Sequence, residues 1–196
     1  MLLQVPGWGS ISPFCDFAEI GGSIAADGSV VLDSFRADMG TPGGACPHHY
    51  GETTISAVTG LRASGAFHQG PGEFPGPWGE RDGVLRLPGR NPAFMIDLAV
   101  TLNGHTSHCR FGLVEPQPGW GYPPDVEIEV FNRDRPGRPD PAVDELQLSG
   151  GGELHGPDQS DVCGYGGLWI DATRVTGETT PGSGVFDQTL HLTGAP

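Results

Sequence analysis

The sequence contains no lysine. All of its fixed positive charge comes from ten arginines, set against 24 acidic residues for a net charge of −14. Such a chain opposes phosphate backbones, which argues against nucleic acid as a partner and against an anionic membrane surface. Without lysine the phosphate-cradling Gly-x-x-x-x-Gly-Lys loop is excluded outright. Gly-x-Ser-x-Gly, His-Glu-x-x-His and Cys-x-x-Cys are missing too, which removes the common nucleophile-elbow, zinc-protease and zinc-ribbon signatures. No apolar run approaches the roughly 18 residues of a membrane-spanning helix. The N-terminal stretch Met-Leu-Leu-Gln-Val-Pro-Gly-Trp-Gly-Ser lacks the basic head and apolar core of a secretory signal. Long segments free of helix breakers are also scarce. No window without glycine or proline exceeds 11 residues, the length of a single ordinary helix at about 11–12.

What is present reads as β-structure. Of 196 residues, 33 are glycine and 19 proline, yet 36% are apolar, enough to build a core. Phe94, Ile96, Leu98, Val100 and Leu102 alternate with Met95, Asp97, Ala99 and Thr101, the period-two pattern of a half-buried central strand. Asn103-Gly104 then supplies a strong hairpin signal, returning through Ser107–Val114. Further strands are expected near Ser29–Phe35, Thr53–Val58, Val126–Phe131 and Leu168–Thr176, with a last one at Gly184–Leu192. At this spacing the chain is expected to be all-β, an antiparallel β-sandwich or open barrel of about nine strands forming a single domain over residues 1–196.

Four cysteines bracket two similar stretches. Cys15-Asp16-Phe17 echoes Cys109-Arg110-Phe111, and Cys46 before Tyr50-Gly51 echoes Cys163 before Tyr165-Gly166. Both stretches end in Val-Thr-Gly, defining pseudo-repeats 15–60 and 109–177. Of three possible pairings, the repeat selects Cys15–Cys46 and Cys109–Cys163 as disulfides, natural for a loop-rich chain in an oxidising compartment.

Several residue groups could carry chemistry. Asn132, Asp134 and Asp140 follow a strand at relative positions 1, 3 and 9, a spacing that suits Ca²⁺, with Gly137 at position 6. The competing reading is a solvated loop whose carboxylates are neutralised by Arg133, Arg135 and Arg138. Cys46-Pro-His48-His49 and His105-Thr-Ser-His108-Cys109 could assemble a zinc site if the thiols stay reduced. Glu127 and Glu129 lie opposite the apolar set of their strand and are expected on a solvated face. Trp78, Trp120 and Tyr122 stand in Pro/Gly-rich loops, placed to stack on a sugar or fill a partner's pocket. Trp169 alternates with Leu168 and Ile170 and is expected in the core.

The order of features is similar to that of small secreted, disulfide-containing β-proteins of high-GC Gram-positive bacteria. The matching features are Cys15 and Cys46 around a short strand, Pro77-Trp78, Met95–Leu102 leading to Cys109, Leu146–Leu148, and Cys163. The acidic stretch 132–145 and the missing export signal depart from that pattern. The resemblance implies export and disulfides, and no particular activity. The resulting expectation is a non-enzymatic module without a cofactor other than the Ca²⁺ considered above. It would act through protein partners or self-assembly in an extracellular or surface assembly, with a glycan as another ligand class. The alternatives are a virion component (capsid decoration or tail) and a metal-dependent or glycan-directed hydrolase.

Overall fold

The structure, a computed structural model, describes residues 2–5, 9–25, 27–41, 43–60, 63–69, 81–114, 121, 123–160 and 163–192. Fourteen strands and no helix occur among these residues, against the nine or so strands expected. In chain order they are β1 (Leu2–Val5), β2 (Gly9–Ile11), β3 (Phe17–Ile24), β4 (Ser29–Asp38), β5 (Cys46–His48), β6 (Gly51–Thr59) and β7 (Ala63–Gln69). There follow β8 (Gly83–Leu87), β9 (Asn91–Leu102), β10 (His105–Leu113), β11 (Val126–Phe131), β12 (Leu146–Ser160), β13 (Cys163–Gly177) and β14 (Gln188–Thr189). The chain is all-β with antiparallel sheets. Its contacts gather into two compact units.

The first unit comprises Met1–Gly65, Leu87–Val126 and Gly152–Trp169. At its centre β9 and β10 form the expected hairpin, with Leu102 opposite His105 and Ile96 opposite Phe111. Asn103 and Gly104 turn it with φ of 47° and 84°, the left-handed pair that a two-residue turn matched to strand twist demands. On its other flank β9 pairs with β6, from Gly51↔Leu102 to Thr59↔Met95, and a register shift between Ile55 and Ala57 leaves Ser56 as a bulge. The alternation read from the sequence is the alternation of burial: Ile96, Leu98 and Val100 are completely enclosed, while Asp97, Ala99 and Thr101 are half-buried. Phe111 completes this core against Gly166, where a Cβ would stand 3.2 Å from the ring.

Both disulfides lie in the first unit with the expected pairing, Cys15–Cys46 and Cys109–Cys163, their Cα atoms 4.8 and 5.3 Å apart. The first joins the segment before β3 to the start of β5. The second joins the middle of β10 to the start of β13. The bracket 15–60 therefore belongs to one unit, whereas 109–177 is divided between two.

The second unit comprises Ala66–Arg86, Glu127–Gly151 and Ile170–Pro196. Here β7 pairs with β8, β11 with the first half of β12, and the end of β13 with the short β14. Within this unit β8 and β11 are neighbours in the sheet. Val84, Leu85, Val130, Phe131, Val143 and Leu146 are buried. Where a strand was expected from residue 184, only Gln188–Thr189 pairs; residues 178–187 form a loop.

Candidate functional site

The acidic segment after β11 is held by a polar frame rather than by its own carboxylates. Asn132, only 4% exposed, closes a two-point clamp on the backbone of Leu192. Its Oδ1 accepts from the Leu192 N–H at 2.8 Å and its Nδ2 donates to the Leu192 carbonyl at 3.0 Å. Gln147, fully enclosed, grips Asp140 in the same way: the Asp140 N–H donates to Oε1 at 2.9 Å and Nε2 donates to the Asp140 carbonyl at 2.6 Å. The Asp140 carboxylate accepts from Ala142 N–H at 2.9 Å, and Asp134 is exposed.

Of the three oxygen donors considered for Ca²⁺, one is thus committed to a backbone clamp and another to a local turn. Among the described residues no group of three or more His, Cys, Asp or Glu is placed to hold a metal ion. The arginines act differently from the expectation. Arg138 donates to the carbonyls of Pro141 and Val143, and Arg135 reaches out of the loop to Asp82 through Nε at 3.0 Å and through Nη2.

Asp82 is the hub of this frame, since its second oxygen accepts the Asn132 N–H at 2.8 Å. Burial pushes its carboxyl up, but the Arg135 guanidinium and the Asn132 N–H together outweigh that and hold it below the usual carboxylate range. The sign follows directly. A carboxyl whose folded pKa lies below its ordinary value of 3.8 contributes stability above that value and loses it as pH falls through the folded pKa. Asp82→Asn is therefore expected to flatten the acid limb of stability. Urea midpoints followed downward from neutral pH should fall less steeply for the variant than for wild type, and parallel curves would refute the assignment.

Glu127 and Glu129 correct the sequence reading. Neither faces open solvent. Arg81 pairs with Glu129, their side chains only 4% and 6% exposed. Arg86 places Nε at 3.0 Å and Nη2 at 2.5 Å from one oxygen of Glu127, whose other oxygen is buried without a hydrogen-bond partner. The polar face of β11 is covered because the neighbouring segment 81–87 lays two guanidinium groups across it. Alternation marks which side of a strand is polar, and a polar side can be enclosed once each charge meets an opposite one.

In the first unit, a depression of about 460 Å³ opens beside the Cys109–Cys163 bond. Ser56 at the β6 bulge, Asp97, His108 and Arg110 line it. Ser56 donates to the Asp97 carbonyl at 3.0 Å, and the Asp97 carboxylate takes Arg110 Nε at 2.6 Å and Nη2 at 3.3 Å. Ser, His and Asp thus share one depression, with the serine and the aspartate already engaged by other groups.

A cysteine-histidine zinc site is overturned, because all four thiols are consumed in disulfides. His48 instead accepts the Tyr50 N–H at Nδ1, 3.3 Å away, and burial pushes its pKa down. Trp78, Trp120 and Tyr122 lie outside the described residues. Trp169 is 60% exposed: on β13 Ile170 is buried and Leu168 half-buried, and the residue between them turns out. Val185 and Phe186, 57% and 63% exposed, were not singled out from the sequence; the signal available was a large apolar pair following the turn-forming Pro181-Gly-Ser-Gly184.

Compared with protein-family models, curated proteins and solved structures, the chain matches none.

Proposed function

We propose that the protein is a disulfide-stapled structural or binding β-module that works by contact, as a subunit of an extracellular or surface assembly. The observation that carries this reading is the oxidation of all four cysteines into two long-range bonds, a device of proteins that function where thiols are not kept reduced. The charged groups support it. Arg36–Asp38, Arg81–Glu129, Arg86–Glu127, Arg110–Asp97 and Arg135–Asp82 tie guanidinium groups to carboxylates, among them Glu127 and Glu129, the neighbouring pair that a glycan-directed hydrolase could otherwise draw on. The resemblance to secreted β-proteins points the same way.

The test is direct. Protein isolated from its native source without reductant should label at no thiol and should fractionate outside the cytoplasm. Four labelled thiols in a cytoplasmic fraction would overturn the reading. Recovery in symmetric particles would move it to the virion alternative, and turnover of a glycan would move it to a hydrolase.

A further inference from the structure

We propose that the loop between β13 and β14 is a docking surface for a protein partner offering an apolar pocket with a cationic rim. The inference rests on the contact-module reading above and adds where the contact is made and with what chemistry. The loop is braced by hydrogen bonds without help from its apolar residues. Glu178 accepts from the N–H of Gly182 and from that of Gly184, the latter at 2.7 Å. Thr179 N–H donates to the Asp187 carboxylate at 3.0 Å, and Ser183 N–H to the Thr180 carbonyl at 3.1 Å. Ser183 Oγ accepts from Val185 N–H at 3.1 Å, and Asp187 N–H donates to the Val185 carbonyl at 3.2 Å. Gly182 and Gly184 take φ of 79° and 71°, conformations that close the turn and disfavour other residues.

Six polar contacts thus fix the backbone, while Val185 and Phe186 stand 57% and 63% exposed and contribute little packing to the loop they belong to. A pre-set backbone presenting an aromatic and a branched aliphatic side chain loses little conformational entropy on binding, the usual make-up of an interface anchor.

Charge selects the occupant. Residues 178–187 carry Glu178 and Asp187 and no arginine or histidine, within a chain of net charge −14. The Asp187 carboxyl is held below its usual range by the Thr179 N–H, which favours its charged form. A second copy meeting loop to loop would set like charges against each other. A second copy offering another face would bring the same net charge of −14, with at least five of its ten arginines already in ion pairs among the described residues. A partner with arginine or lysine around an apolar pocket satisfies both features.

A random peptide-display library selected on the intact, oxidised protein tests this, with Val185→Ser/Phe186→Ser as the comparison. Because both side chains are exposed, the variant should melt within a few degrees of wild type. Peptides that combine aromatic or aliphatic residues with arginine or lysine should be recovered. Their binding should weaken with added salt and fall roughly tenfold or more on the variant, the scale of a lost hot spot, while Trp169→Ser leaves it unchanged. Peptides that bind wild type and variant alike would remove this surface and leave the contact-module reading standing. Salt-independent or acidic binders would overturn the proposed partner chemistry. A dimer seen by sedimentation and abolished by Phe186→Ser would replace the partner with a second copy, and an empty selection would count against the loop and the module together.

Discussion

Replacing Cys109 and Cys163 together with alanine is expected to lower stability by about 4.2 kcal/mol, and the same change at Cys15 and Cys46 by about 3.7 kcal/mol. The figures follow from loop closure: the bonds span 54 and 31 positions, and the entropy withheld from the unfolded chain grows with the logarithm of that span. A domain of this size has about 5–15 kcal/mol in hand, so either loss is a large fraction of the total. Alanine is the appropriate probe because Cys46, Cys109 and Cys163 are 1%, 4% and 3% exposed, and a serine hydroxyl there would add a desolvation cost of its own. The longer bond has a second consequence. The chain it closes, residues 110–162, contains β11 and the first half of β12, so it restricts the unfolded state of the segment that supplies Glu127–Gly151 to the second unit. Urea unfolding should therefore show a lower midpoint and a steeper slope for C109A/C163A, as the denatured chain expands. A loss below about 1 kcal/mol for that pair, or a larger loss from C15A/C46A, would show that the bonds act through native packing instead.

The features that could be read in the sequence are those in which a local pattern coincides with a one-sided environment. Phe94–Leu102 alternates because one face meets the core, and Asn103-Gly104 turns because only such residues accept two left-handed positions cheaply. The cysteine pairing was legible through the echo between two stretches rather than through any strand prediction.

One strand absent from the sequence reading, β3, and one expected only at its start, Leu146–Leu148 of β12, are interrupted by glycine. β3 carries Gly21-Gly22 at its register shift against β4, and β12 carries Gly150-Gly151-Gly152. Such runs signal turns when read locally. In the fold, Gly152 serves close approach instead: a Cβ there would stand 2.6 Å from a Val126 methyl group. The polar frame was illegible for a different reason. Asn132 meets Leu192 across 60 positions, and Arg81 meets Glu129 across 48. A residue's own neighbourhood in sequence carries no trace of such a partner, so Glu129 reads as solvated until the fold brings the guanidinium to it.

That ion pair makes the sharpest quantitative claim about the second unit. Glu129→Leu alone, or Arg81→Met alone, should each cost about 3–5 kcal/mol, because either removes the opposite charge from an enclosed ion pair. The double variant R81M/E129L should lose far less and lie within about 1 kcal/mol of wild type or above it, since two apolar side chains of similar length fill the space without the desolvation cost of two ions. Arg86→Met is the internal control. Its side chain is 37% exposed against 4% for Arg81, so the pair is screened more and the loss should be smaller. Chemical denaturation of the four members of the Arg81/Glu129 cycle gives the coupling energy directly. A coupling of several kcal/mol would establish that the two charges are held for each other. Additive losses would mean that Glu129 is solvated after all and that β11 presents an open polar face.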